Sequence, residues 1–596
     1  VKQADTVGSA ADAAPKALSA STLCEAFQAT AAEQAEMPAL RFKDSDFGAS
    51  FAEYAATVRR RAAGLAALGV ERSDTVGFML VNRPGFLLTD CAAMHLGATC
   101  FSVYNTSSPE QIEYVVADAA NRVIVTEPQF LDRVLAVRER VETLEHVVVI
   151  GGEAPAGTIS IEELEAMGDP GFDFEAAWRA VEPDDVLCLI YTSGTTGAPK
   201  GVQLTHNNII SGWRAADAVY RPTPGVRQIS YLPSAHVADR YSCLYGQMIY
   251  GGCIYSCPDV RQMIAYSIEV RPTVWAGVPR VFEKLKAALE IGMTVEADVE
   301  KRKATEQALE VGRRWVAAYM AGEIPAELQA EWEQADERVF ARIRAMIGLD
   351  EVEWFGVSAA PTPPEVIEFF LAIGIEISEL WGMSEASATV TLNPPGRIRV
   401  GTVGPPLPGI EVKLADDGEV MVRGPIVMKG YRNMPERTAE AFTEDGWLLT
   451  GDIGEFDEEG YLKIVDRKKE LIINAAGKNM SPANIEAKLK TATPLIAQAV
   501  AIGDRRPYNV ALIALDHETL AARGLAPGDP EVAAEIERAV AVANERLARV
   551  EQIKRHKLVE EEWIPGGKEL TPTLKLKRRP IAEKYAAEIE ALYAPA

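Results

Sequence analysis

The chain has no run of about 18 apolar residues, the length a membrane-spanning helix requires, so no span is expected. Its first twenty residues are rich in Ala and Ser and lack the apolar centre of a signal peptide. A cytoplasmic location is expected, with contact at the inner membrane face left open. There is no cysteine framework: Cys24, Cys91, Cys100, Cys188, Cys243, Cys253 and Cys257 are odd in number and scattered, which points to reduced thiols. Cys253 and Cys257 lie four apart with no His/Cys pair nearby, so buried packing is expected of them rather than zinc. Basic charge is scarce, 61 Lys and Arg against 86 Asp and Glu, for a net charge of -25 and a pI of about 4.9. Such acidity argues against nucleic acid, whose phosphates call for clustered Lys and Arg. It leaves room for one local basic pocket that takes a nucleotide. Internal repeats are absent too.

What is present is the balance of a globular protein: 48% apolar and 25% charged residues over 596 positions, enough for several folding units. Strand-like runs such as Thr75–Val81, Arg122–Thr126 and His146–Ile150 alternate with helical spacing over 51–69 and 86–97. That alternation predicts α/β layers with largely parallel sheets. Residues 283–346, dominated by Lys, Glu, Arg and Ala with Trp315, Tyr319, Trp332 and Phe340 interleaved, read as a helical insertion. A solvated face packed on its own domain is favoured there over a partner-binding hairpin. Residues 397–465 carry many Gly and Pro and short strands, a small β-rich subdomain. The pattern changes at Asp466, so 1–465 is expected as a large N-terminal domain. Residues 466–596 are expected as a small, mobile α+β C-terminal domain.

The segment richest in chemistry is Tyr191-Thr-Ser-Gly-Thr-Thr-Gly-Ala-Pro-Lys-Gly-Val202. It follows an apolar run, Val186–Ile190, that reads as a buried strand. A Gly-rich turn after a strand can offer bare N–H groups, hydroxyls and one cation to a polyphosphate. It is not a Walker A loop: Gly194, Gly197 and Lys200 are spaced by three, and Gly201 follows the lysine. A surface linker rarely ends in Pro-Lys-Gly after a β-run.

Four further segments stand in order behind it: Ser378-Glu-Leu-Trp-Gly-Met-Ser-Glu385, Thr450-Gly-Asp452, Asp466-Arg467 and Thr571-Pro-Thr-Leu-Lys-Leu-Lys577. The first places a carboxylate after a short strand, and the second reads as an exposed acid at a strand end. Each alone is weak. Together, over about 42–579, they resemble the adenylate-forming superfamily of acyl-CoA synthetases, luciferases and peptide-synthetase adenylation domains. Ile229–Arg240, Gly477–Pro482 and the Leu-Thr-Pro-Thr-Leu-Lys ending are similar to the long-chain fatty acyl-CoA synthetases.

The resemblance implies a ligase that uses ATP, Mg²⁺ and CoA to turn a fatty acid, by way of an acyl-adenylate, into acyl-CoA. It implies that Thr192 and Glu385 hold the metal and that Ser193, Gly194, Thr195, Thr196, Gly197 and Lys200 cradle phosphates. Ser358, Ala359, Ala360, Trp381 and Gly382 would line the adenine, continuing into Met383 and Ser384. Asp452 would bind the ribose hydroxyls and Arg467 the ribose or a phosphate. Relatives often carry Gly-Lys at the adenylation lysine. Here Lys575 follows Leu574, with Lys577 as runner-up and Gly567-Lys568 as a decoy too far upstream. Asp466 resembles the hinge, and Ala475, Ala476, Gly477 and Lys478 the CoA channel. His236 would face the carboxylate end of the acyl pocket, and Val274–Pro279 its wall. Some long-chain relatives carry a gating Trp where this chain has Arg240, so no gate is inferred. The alternatives are an acyl-AMP ligase that loads a carrier protein and a non-catalytic acyl or nucleotide sensor. Chain length and oligomeric state are not encoded in these motifs.

Overall fold

The computed structural model describes residues 14–43, 45–192, 198–474, 478–571 and 574–594. An eight-stranded sheet runs in the order Gly430–Tyr431, Lys200–Thr205, Val186–Thr192, Thr99–Ser102, Thr75–Met79, Val123–Thr126, His146–Val149, Ile159–Ser160. From Val186–Thr192 outward to Ile159–Ser160 the pairing is parallel. Helices cover both faces, which is why Val123-Ile-Val-Thr126 is buried at every position. The Lys200–Thr205 strand doubles back antiparallel on Val186–Thr192.

A second α/β unit holds two four-stranded sheets. One orders Arg227–Ser230, Cys253–Ser256, Pro38–Phe42 and Gly48–Ser50; the other orders Val274–Gly277, Trp354–Val357, Ile377–Trp381 and Thr391–Leu392. The helices Pro279–Val295, Val299–Met320, Ala326–Ala335 and Ala341–Met346 pack on it. Their aromatic residues turn inward: Trp315, Trp332 and Phe340 are buried in one cluster with Phe370 and Ile373. The Trp332 indole donates to the Ala372 carbonyl at 2.9 Å. Most of the Lys, Glu and Arg residues of 283–346 are then left for the solvated face, with Glu283 and Arg344 among the exceptions.

Glu411–Leu414, Glu419–Arg423, Leu448–Phe456 and Leu462–Arg467 make an antiparallel sheet. The C-terminal unit has its own core, in which Ile485, Leu489, Ile513 and Ile536 pack between helices and the sheet Ile496–Ile502, Asn509–Leu515, Ile553–Val559. All seven cysteines are buried and unpaired. No described helix is long and apolar enough to cross a membrane.

Candidate active site

A cleft of about 2230 Å³ runs between the α/β units, the antiparallel sheet and the C-terminal unit. It exceeds the roughly 300–1,000 Å³ of a single-ligand pocket. Thr192 ends one strand and is paired in register with Lys200, which starts the next, and both line the cleft. Ser193, Gly194, Thr195, Thr196 and Gly197 lie outside the described residues. The Lys200 ammonium stands 4.2 Å from the centre of the Tyr431 ring, a cation–π contact. The Tyr431 hydroxyl donates to Glu385 Oε1 at 2.9 Å.

Glu385 sits in the short turn Ser384–Ala386 after the strand Ile377–Trp381. The turn is sharp: Ser387 and Ala388 have φ of 52° and 78°. Gly382 lets the chain close on itself, since a Cβ there would lie 2.0 Å from the Ala388 carbonyl oxygen. Trp381 Nε1 donates to Asp452 Oδ2 at 2.8 Å, and Arg467 Nε lies 3.2 Å from Asp452 Oδ1. Here one expectation is corrected. Asp452 is not an exposed acid at a strand end: the strand Leu448–Phe456 continues past it, and Asp452 is 6% exposed. Burial raises its pKa, with Arg467 and the Trp381 N–H pulling the other way. Ser358, Ala359 and Ala360 follow the strand Trp354–Val357 and line the cleft with Gly382, Met383 and Ser384. Ala359 has a φ of 78°, a left-handed conformation costing a non-glycine residue about 1–2 kcal/mol.

His236 caps a one-turn helix and accepts the Ala238 N–H on Nδ1 at 3.2 Å. Burial and the nearby Lys575 push its pKa down to about 3. The ring is therefore neutral, with its proton on Nε2 free to donate. Lys575 is tied to Thr571: its N–H donates to Thr571 Oγ1 at 2.9 Å, its carbonyl accepts the Thr571 N–H at 2.8 Å, and beside them Leu570 bridges Leu576. Its side chain is open to the interior of the cleft yet surrounded by protein. That crowding, with Arg467 nearby, pushes its pKa down to about 8 against the pull of Asp452, Glu385 and Glu470. Leu574 has a φ of 64°. It adopts the left-handed conformation that glycine favours, and its side chain packs on the cluster around Trp563 and Leu570. Lys577 instead donates to the Gly567 carbonyl at 2.8 Å. Neither Lys577 nor Lys568 lines the cleft.

Asp466 is buried in the strand Leu462–Arg467 and accepts from the Ser481 hydroxyl at 2.6 Å and the Ala483 N–H at 3.1 Å. It thereby ties the antiparallel sheet to the N-terminus of the helix Pro482–Ala492. Lys478 is exposed and away from the cleft; Ala475, Ala476 and Gly477 lie outside the described residues.

Beyond His236 the cleft continues between Ala216, Tyr220, Tyr231, Tyr241 and Gly246. Trp213 stacks on Tyr241 at 4.6 Å and meets Tyr250 edge-on at 5.5 Å. In Val274–Pro279 every residue but the buried Trp275 faces this space. Arg240 does not: it is fully buried and paired with Asp90 at 2.6 Å.

Two cleft residues escaped the sequence reading. Tyr431 is 46 positions from Glu385, and no local pattern links them. Glu379 lies in a quoted motif, and strand alternation puts it on the face of Trp381. It accepts the Thr362 N–H at 3.1 Å, and burial pushes its pKa up to about 7.

Residues 27–432 match the family described as AMP-binding enzyme, and 469–596 match the AMP-binding enzyme C-terminal domain. FadD11 of Mycobacterium tuberculosis is 51% identical over 450 residues, 74% of this chain and 79% of that protein. FadD15 of Mycobacterium bovis, named a long-chain-fatty-acid–CoA ligase, is 36% identical over 561 residues, 91% of this chain and 92% of that one. Among solved structures, the adenylation domain of a carboxylate reductase from Mycobacterium chelonae aligns with a TM-score of 0.76 at 22% identity, covering 98% of this chain and 94% of that one. The anthranilate CoA ligase AuaEII, in complex with anthranoyl-AMP, aligns with a TM-score of 0.75 at 20% identity, covering 96% and 98%. At these identities the two structures speak to the fold alone.

Proposed function

Because the chain belongs to the AMP-binding enzyme family, we propose that it is a long-chain fatty acid–CoA ligase: ATP, fatty acid and CoA give acyl-CoA, AMP and pyrophosphate. The observation that carries this reading is the position of Lys575. A residue near the C-terminus stands in the cleft close enough to Asp452, Glu385 and His236 to share their electrostatics. The names of the FadD15 proteins and of ACSBG2 from Xenopus laevis, 31% identical over 622 residues, support the acyl class.

The obstacle in the first half-reaction is repulsion between a carboxylate and a triphosphate. The nucleophile is already anionic, so no general base is needed; oriented donors and cations are. A carboxylate oxygen attacks the α-phosphorus, the bond to the bridging oxygen breaks, and pyrophosphate leaves with the electron pair. Lys575 offsets the charge on the attacking carboxylate and α-phosphate, and His236 donates from Nε2 to an oxygen of the acyl group. Lys200 and residues 193–197 hold the β- and γ-phosphates. Ser358–Ala360 and Trp381–Ser384 hold the adenine, and Asp452 holds the ribose hydroxyls, with Arg467 adding a ribose or phosphate contact. Thr192 and Glu385 would hold Mg²⁺. A hydroxyl and a carboxylate suit a cation that takes oxygen ligands and keeps several waters, and Tyr431 leaves Glu385 Oε2 available. When bound, the cation neutralises phosphate charge.

In the second half-reaction the CoA sulfur attacks the acyl carbonyl and AMP leaves. The C-terminal unit turns about Asp466, withdrawing Lys575 and bringing Ala476, Gly477 and Lys478 to the pantetheine channel. The acyl chain occupies the cavity between Tyr231, Tyr241 and Gly246. Such acids partition into bilayers, so the reading includes peripheral contact of a cytoplasmic enzyme with the inner membrane face.

The test is mass spectrometry of products from purified protein with ATP, Mg²⁺, CoA and fatty acids from C4 to C24. Acyl-CoA peaking among long chains is expected. Acyl-AMP without acyl-CoA would move the assignment to a carrier-loading ligase, and the absence of both products would overturn the reading.

A further inference from the structure

The C-terminal unit meets the N-terminal one across a chain of alternating charges. Arg280 lies in the first turn of the helix Pro279–Val295, directly after the cleft-lining strand Val274–Gly277. Its guanidinium pairs with Asp516 of the C-terminal unit and reaches Glu283 at 3.2 Å. Glu283 in turn is 3.5 Å from Lys490 of the helix Pro482–Ala492. The order Asp516–Arg280–Glu283–Lys490 therefore crosses between the units twice. The side chains are 9%, 21%, 10% and 21% exposed, so solvent screens them far less than an open surface pair. Asp516 is also held locally, accepting the Thr519 N–H at 2.9 Å as it caps the helix His517–Arg523. Its carboxylate is thus aimed before Arg280 arrives. Lys284 adds a more exposed pair with Glu518 at 2.5 Å.

All four members of the chain line the same cleft as Lys575. The C-terminal unit carries Asp516, Lys490 and Lys575 together. The contacts that seat the first two also set where the third stands. Arg280 pairs with Asp516 and Glu283, neither of which is assigned to ATP, metal or acyl group.

We propose that Arg280 is a positioning residue. Through Asp516, and through Glu283 to Lys490, it seats the C-terminal unit so that Lys575 enters the cleft, favouring adenylate formation over thioester formation. The inference rests on the ligase reading above. It predicts a selective defect: a second arrangement of the units must break this chain of charges, so losing it harms only the half-reaction that needs the present seating.

The experiment uses the full-length protein and measures two rates: acyl-AMP formation from ATP and fatty acid, and acyl-CoA formation from supplied acyl-AMP and CoA. Arg280→Glu should lower the first by about tenfold or more and leave the second at or above the wild-type rate. Glu283→Lys should behave likewise, and pairing it with Lys490→Glu, which leaves the Asp516 cap untouched, should restore most of the first rate. Equal loss of both rates, no loss of the first, or a folded charge swap that fails to rescue would each overturn the proposal. Protease cleavage between the two units is followed in parallel and should be faster in Arg280→Glu. If the wild type forms neither product from any chain length, the ligase reading fails, whereas unchanged cleavage counts against Arg280 alone.

Discussion

Lys575 is where residue chemistry decides most. Three lysines stood near the right place in the sequence, and spacing alone ranked them. Geometry separates them: Lys577 is tied to a backbone carbonyl, Lys568 is off the cleft, and Lys575 is inside it. Lys575→Ala is expected to abolish acyl-AMP formation while sparing thioester formation from supplied acyl-AMP, and Lys568→Ala should spare both; the two half-reaction assays check this. Its low pKa adds a pH signature. A lysine whose pKa is depressed to about 8 is charged below that value and loses its charge as pH rises through it. Adenylation by the free enzyme, measured as kcat/KM, should therefore fall through about pH 8. Lys575→Arg, with a guanidinium that stays charged, should push that descending limb to higher pH. A limb unmoved in Lys575→Arg would assign it to another group.

At the scale of elements, the sequence showed what is local and hid what is not. The strand before Thr192 and the turn before Glu385 are each written in contiguous residues. Asp452 misled for a physical reason. Thr-Gly-Asp looks like the end of a strand because Gly451 does take a φ of 73°, and the ladder does shift register between Ile453 and Gly454. The strand absorbs this irregularity and runs on, which buries Asp452 against Trp381. Tyr431 was invisible because its tie to Glu385 exists only once the strands Gly430–Tyr431 and Lys200–Thr205 pair. The cavity proposed for the acyl chain is equally non-local, since its shape depends on how the helix His206–Asp217 rests on the segment 240–250. Gly246 marks that contact: a Cβ there would lie 2.8 Å from Trp213 Cζ2. Gly246→Leu must displace Trp213, a strain of about 1–3 kcal/mol, and the cavity shortens. The profile of rate against acyl length should shift to shorter chains with the KM for ATP unchanged. A uniform loss across all lengths would show that Gly246 serves packing only.

At the scale of the whole molecule, the chain is strongly acidic, yet it collects Lys200, Arg467 and Lys575 around one cleft. Composition argued against a polyanionic polymer as partner and left room for one local pocket that takes a nucleotide. Where the two units join, composition is silent and the strand Leu462–Arg467 is informative. Asp466 takes two hydrogen bonds from the start of the helix Pro482–Ala492, so it anchors the C-terminal unit as well as preceding it. A proline at 466 would remove a backbone donor from the strand and so change more than the charge. Asp466→Asn is cleaner, because it keeps the shape and removes the charge facing the helix N-terminus. Loss of a carboxylate at such a site costs about 1 kcal/mol, too little to unfold the protein but enough to bias two arrangements of its parts. If the units turn about Asp466, the two half-reactions should change by different factors, read as the ratio of acyl-AMP formation to thioester formation. If Asp466 only caps a helix, both should fall by the same factor, in step with a small drop in Tm.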